Sequence, residues 1–164
     1  MATASAHPET TDGTPAVLRE SFFCISRAFY VYVGLLERLL REHELADHVR
    51  PGMGHVLFAL FEQDDVIIQN LVQRTELSRT ALTRLVRQME KSKLITRRRD
   101  TSDGRAVRIR LTSAGRSLEG RCNDVIDELR ATVEHDISPR QLQAVKDGLR
   151  QMTRNMREAT NSLE

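Results

Sequence analysis

The chain has no tryptophan, two tyrosines and five phenylalanines among 164 residues, and only two cysteines and four prolines. Each scarcity excludes something. Cys24 and Cys122 lie far apart and form neither a CxxC metal knuckle nor a disulfide framework. In a reducing compartment both are expected to be buried thiols, and peroxide sensing at Cys24, the alternative, requires a lowered thiol pKa and exposure. No apolar run approaches the roughly 18 residues of a membrane span, so a cytoplasmic chain without a membrane partner is expected. His43, His48, His55 and His135 show no compact ligand spacing, and no metal is expected. A nucleophile motif, a glycine-rich phosphate loop and a convincing carboxylate pair are also missing, so neither an enzyme nor a cofactor is expected.

What is present is charge, unevenly placed. The formal net charge is +2, yet Arg79 to Arg110 holds eleven Lys and Arg against Glu90, Asp100 and Asp103, so the remainder is net acidic. A basic segment inside an acidic chain is the footprint of a polyanion-binding surface, whereas a merely solvated face carries mixed charge. The length suits one domain, or a small module whose helices serve an oligomer. The start, "MATASAHPETTDGTPAV", is small and polar without an apolar core, so residues 1–15 read as a flexible tail.

From Pro15 to about Ala46 the pattern predicts one long helix, with Leu18, Phe22, Ile25, Phe29, Val33, Leu36 and Leu40 on one stripe. Phe23, Tyr30, Tyr32, Leu35 and Leu39 fall off that stripe, and a helix apolar on two sides needs cover on both. A second copy of the chain is expected to supply it. A short helix follows over about Gly52 to Gln63, then a brief β-branched entry, a small helix around Gln69 to Arg74, and a helix from Ser78 to Lys93 with Ser78 as N-cap. A hairpin comes next, then a helix over about Ser113 to His135 and another opening at "SPRQ", a capping-box signature. The fold class read from this order is mainly α with a small β-hairpin wing. Residues 16–48 are expected to form a dimerisation helix, 49–111 a winged helix-turn-helix and 112–164 the C-terminal helices.

At 100° per residue, Ala81, Leu82, Leu85, Val86 and Met89 take one side of the Ser78 helix, and Arg79, Thr80, Thr83, Arg84, Arg87 and Lys91 the other. A cationic, hydroxyl-bearing face suits a major groove, where Arg reads guanine or phosphate and Thr meets a thymine methyl. The preceding "NLVQRTELS" supplies a bracing helix and turn. In the hairpin, Val107, Ile109 and Leu111 alternate with Arg108 and Arg110, the period of a half-buried strand whose arginines project outward. The expected DNA contacts also include Arg97, Arg99 and Arg108 at phosphates, and Ser78 and Asp103 at the adjoining turns. Arg105, beside Gly104 at the tip, is placed in a minor groove, whose negative potential favours a guanidinium. Two blander readings remain: an edge hairpin charged against aggregation, and a helical module docking its basic face on an acidic protein.

Across "NLVQRTELSRTALTRLVRQMEKSKLITRRRDTSDGRAVRIRLTSAG", the order, the spacing, the Asp-x-x-Asp-x-Arg of Asp100, Asp103 and Arg105, and the Leu-Thr-x-x-Gly of Leu111, Thr112 and Gly115 resemble the multiple antibiotic resistance regulator (MarR) family. The resemblance extends from about Val17 onward. It implies an obligate homodimer with interlocked terminal helices, the C-terminal dimerisation helices of 112–164 among them, binding a pseudo-palindromic operator of double-stranded DNA, as a repressor released by a small ligand or an oxidant. Two departures stand out: Gly104 occupies a position where the family usually has arginine, and Glu76 one where the turn often has glycine. All seven aromatic residues precede residue 62, the region that borders the family's effector crevice. Tyr30, His55 and Phe58 are the candidates for a pocket that takes an aromatic or amphipathic acid.

Overall fold

The computed structural model describes residues 15–101 and 103–161. One 3₁₀ turn, Ala16–Arg19, precedes α1 at Ser21–Glu42. The continuous helix expected from Pro15 to Ala46 is therefore corrected at both ends. Glu20 between the two pieces is extended, with φ −61° and ψ 146°. At the far end Glu44 turns left-handed (φ 55°), and Leu45 N–H returns to the Leu40 carbonyl at 2.7 Å while Glu44 N–H reaches Arg41. This is a Schellman closure made without glycine, stabilised by burying Leu45 beneath the helix it ends.

The second helix, α2 (Gly54–Glu62), follows Gly52, whose φ of 91° is open to glycine at little cost. Strand β1 (Val66–Ile67) leads directly into α3 (Ile68–Thr75), and a turn at Glu76 leads to α4 (Arg79–Lys91). Then β2 (Ile95–Arg99) and β3 (Val107–Leu111) form the hairpin. The expected two-stranded hairpin is in fact part of a three-stranded antiparallel sheet of order β1-β3-β2. Val66 pairs with Ile109 and Ile67 with Arg108, so the β-branched entry becomes the strand that anchors the wing to the body.

The expected Ser113–His135 helix divides into α5 (Ser113–Ser117) and α6 (Glu119–Val133) at Leu118. The last helix, α7 (Pro139–Asn161), opens on the capping box: the Gln141 side chain accepts from Ser138 N–H at 3.0 Å, and Ser138 Oγ accepts from Gln141 N–H. One core joins Leu39 of α1, Leu57 and Leu60 of α2, Leu71 of α3, Leu82 and Met89 of α4, Ile109 of β3, and Cys122 and Val125 of α6. Two surfaces stay apolar and uncovered. On α1 they are Phe22, Phe29, Tyr30 and Val31, and on α7 Val145, Leu149 and Met156. Cys24 shares that uncovered half of α1, so the expectation that both thiols are buried holds for Cys122 alone. Among the described residues no helix is long and apolar enough to cross a membrane.

Candidate nucleic-acid interface

The α4 helix begins where Ser78 Oγ accepts the Ala81 N–H at 3.2 Å, which satisfies one of the amide donors a helix start leaves open. Leu82, Leu85, Val86 and Met89 are buried and fix its roll. Arg79, Thr80, Arg84, Arg87 and Lys91 are left exposed, and with Thr83 and Gln88 they frame a shallow depression of about 550 Å³. Thr83 is half-buried and its hydroxyl donates to the Arg79 carbonyl at 2.7 Å, which leaves its methyl and acceptor lone pairs for any partner. Among the described residues no carboxylate pairs with the side chains of Arg79, Arg84, Arg87 or Lys91. An unneutralised cationic face is poised for an outside anion.

Behind α4, Leu94 N–H returns to the Met89 carbonyl at 2.9 Å, with Lys93 left-handed at φ 57°. The helix thus closes at Lys91, two residues short of the expected Lys93, by the same glycine-free Schellman closure as α1.

The wing tip is shaped by its acids. Asp100 Oδ1 accepts the Asp103 N–H and Asp103 Oδ1 the Arg105 N–H, both at 2.9 Å, while the Asp103 carbonyl takes the Ala106 N–H. Asp103, placed among the DNA contacts by sequence, thus spends its carboxylate on the turn. Arg105 keeps an exposed side chain at the tip. Arg99 is also exposed, whereas Arg97 meets Glu90 of α4 at 2.7 Å.

Arg108 departs most from expectation. Its guanidinium faces inward, Nη1 2.6 Å from Asp100 Oδ2 and Nε 3.1 Å from Asp65 Oδ1, with Nη2 on the Asp65 carbonyl. Arg98, its cross-strand neighbour, takes the other Asp65 oxygen. Asp100 is 5% exposed, a buried carboxylate that requires such a partner. The hydrogen bonds that Arg108 donates to Asp100 and then to Asp65 raise its pKa above the ordinary value. Partial burial pushes the Asp65 carboxyl upward, but the hydrogen bonds and charges of Arg108 and Arg98 outweigh it and hold the pKa below the usual carboxylate range. Asp100 belongs to the recognised motif. Asp65 lies 43 residues before Arg108, and no local pattern pointed to it.

A cavity of about 440 Å³ lies between α1, α2, the end of α3 and α6. His55 and Phe58 line it as expected, but Tyr30 does not: it is 74% exposed on the uncovered side of α1, and Tyr32, about 200° further round the helix, takes that place. Arg50, Arg74 and Thr75 add polar groups. Arg74 Nη2 donates to Glu62 at 2.6 Å, while its Nη1 is buried with no protein acceptor. Burial drives the Cys122 thiol in the wall up to about 11, with Arg121 opposing. Of the scattered histidines, His43 meets Glu128 of α6 at 3.0 Å and His135 its neighbour Asp136.

The sequence profile of the MarR family matches residues 51–107, the stretch from the start of α2 to the wing. The HTH-type transcriptional regulator TtmR of Methylorubrum extorquens is 31% identical over 99 residues, which are 60% of this chain and 49% of TtmR. This chain therefore spans about half the length of that curated relative. The PcaV transcriptional regulator of Streptomyces coelicolor, solved with its natural ligand, superposes with a TM-score of 0.74 at 17% identity, covering 86% of this chain and 96% of PcaV. MepR of S. aureus, solved as a DNA complex, gives 0.69 at 21% identity over 83% and 98%.

Proposed function

We propose that the chain is a transcriptional regulator of the MarR type, a reading supported by the profile match over residues 51–107 and the similarity to TtmR, and that it reads a pseudo-palindromic operator in duplex DNA as a twofold homodimer. The observation that carries this reading is the α4 face: Arg79, Thr80, Thr83, Arg84, Arg87 and Lys91 lie on one exposed side of a helix whose roll is fixed by its buried side. A helix of this width fits the major groove. From the tip, Arg105 reaches an adjacent minor groove, while Arg99 serves phosphates. The bared apolar residues of α1 and α7 are the surface that a second copy covers, since a monomer rarely leaves so many large apolar side chains in water.

Release of the operator is assigned to the cavity. Its volume lies in the range of small-ligand sites, and Tyr32 and Phe58 offer walls for a ring. The buried, unmatched Nη1 of Arg74 favours an occupant that brings an anionic oxygen. The effector proposed is a small aromatic carboxylate, and the role is that of a repressor.

Binding of fluorescent operator duplex by Arg84→Ala, Arg87→Ala and Arg105→Ala tests the first part. Each loses about 1–3 kcal/mol where it reads a base, or flattens the salt dependence by about one unit where it meets phosphate. Parent-like affinity and salt dependence in all three would refute the reading. Benzoate releasing the duplex where benzamide does not, with Arg74→Met insensitive to both, tests the second.

A further inference from the structure

The turn between α3 and α4 holds Glu76 at φ 52° and ψ 20°, the left-handed region that side chains other than glycine occupy under strain. Ser78, two residues on, caps α4, so the torsions at Glu76 set where the recognition helix points. One side chain from far along the sequence grips this turn. Arg157, near the end of α7, donates through Nη2 to the Glu76 carbonyl and brings Nη1 to 3.8 Å from Glu76 Oε2. The carbonyl of a strained residue thus accepts a hydrogen bond from a guanidinium that also lies within ion-pair range of the same residue's carboxylate.

The helix that carries Arg157 stands apart from the rest of the chain. Of its residues 139–160 only Leu142, Met152 and Thr153 are half-buried, and the others are exposed. Its apolar stripe of Val145, Leu149 and Met156 belongs to the surface assigned above to the partner copy. The middle of a helix roughly 35 Å long is therefore fixed in the dimer frame, while Arg157, adjacent to Met156 but about 100° further round the helix, holds the reading head.

We propose that Arg157 is a positioning residue that locks the helix-turn-helix to the dimer frame through Glu76, and so sets the separation of half-sites the dimer accepts. The inference rests on the dimeric DNA-binding reading. One base pair of spacer moves a half-site by about 3.4 Å and turns it by about 35°, so a head held by Arg157 discriminates between spacers and a loosened one does not.

The test measures affinity of parent, Arg157→Ala and Arg157→Lys for duplexes carrying the selected half-sites at the optimal spacer and at one base pair shorter and longer. The parent is expected to lose about tenfold for a one-base-pair change. Arg157→Ala keeps the parent's dimer mass and melting midpoint, because the site is exposed and alanine favours helix, but its spacer preference shrinks to about threefold. Arg157→Lys, which can still donate to the carbonyl, recovers part of the preference. Parent-like discrimination in Arg157→Ala overturns the brace and leaves the DNA-binding reading intact, as does a parent indifferent to spacer. A parent that binds no duplex overturns both.

Discussion

Gly115 lies so close to Leu94 that a Cβ on it would stand 2.1 Å from the Leu94 carbonyl oxygen. The Thr112 hydroxyl completes the junction: it donates to the Lys93 carbonyl at 2.7 Å and accepts the Gly115 N–H at 2.9 Å. The end of α4 and the start of α5 are welded here, and the Leu-Thr-x-x-Gly motif is the sequence form of that weld. Backbone cannot move aside as a flexible side chain can. Gly115→Ala is expected to cost about 3 kcal/mol or more in chemical denaturation. A midpoint equal to the parent's would show that the contact relaxes freely.

Gly104 behaves in the opposite way. It sits in the wing turn, yet its φ is not left-handed and nothing lies within 4 Å of a Cβ built on it. The turn is closed by the Asp100 and Asp103 carboxylates instead. Gly104→Ala should therefore stabilise the chain by about 0.4–1 kcal/mol, through a less disordered unfolded state. Destabilisation of that size would contradict the geometry of the tip.

The depressed carboxyl of Asp65 makes an acid prediction. A group whose folded pKa lies below its unfolded one contributes stability that is fully present above the unfolded value, about 4 for a carboxylate, and is lost as pH falls through the folded value. Unfolding followed from neutral pH downward should show the parent losing this contribution only below about pH 4. Asp65→Asn should be less stable at neutral pH and should show a shallower acid decline. Parallel curves for the two proteins would exclude Asp65 from the linkage.

Cys122 and Cys24 should separate in alkylation. With its thiol pushed up to about 11 and 5% exposed, Cys122 should stay unlabelled in the native chain and label at once in denaturant. If oxidant also releases the operator, the exposed Cys24 is the site, and Cys24→Ser abolishes the response. A native Cys122 that labels as fast as the denatured chain would contradict its burial.

Periodicity and capping made most of the fold legible. The α4 faces follow from its 3.6-residue repeat, and Ser78 and the Ser138–Gln141 pair mark their helix starts as the structure has them. Helix ends were less legible because this chain closes them without glycine. Glu44 and Lys93 adopt left-handed torsions that their own identities do not suggest, and what stabilises them is the burial of Leu45 and Leu94 one residue later. At the site, face assignment placed the α4 residues together, while long-range pairing escaped notice. Alternation along β3 sent Arg108 outward, and only the fold brings Asp65 and Asp100 to it. Tyr30, the ring expected at the pocket, and Tyr32 lie on one helix, and which of them meets α2 and α6 is decided by tertiary packing. Arg74 and Arg157 act through partners 12 and 81 residues away, beyond any local pattern.

The most direct test of the central claim is selection of bound sequences from a pool of random duplexes by the full-length chain, with the stoichiometry of the complex measured on the winners. The account predicts an inverted repeat whose two halves are centred about one helical turn apart, 10–10.5 base pairs, held by two chains. A pool that stays random, or a single asymmetric site held by one chain, would contradict it.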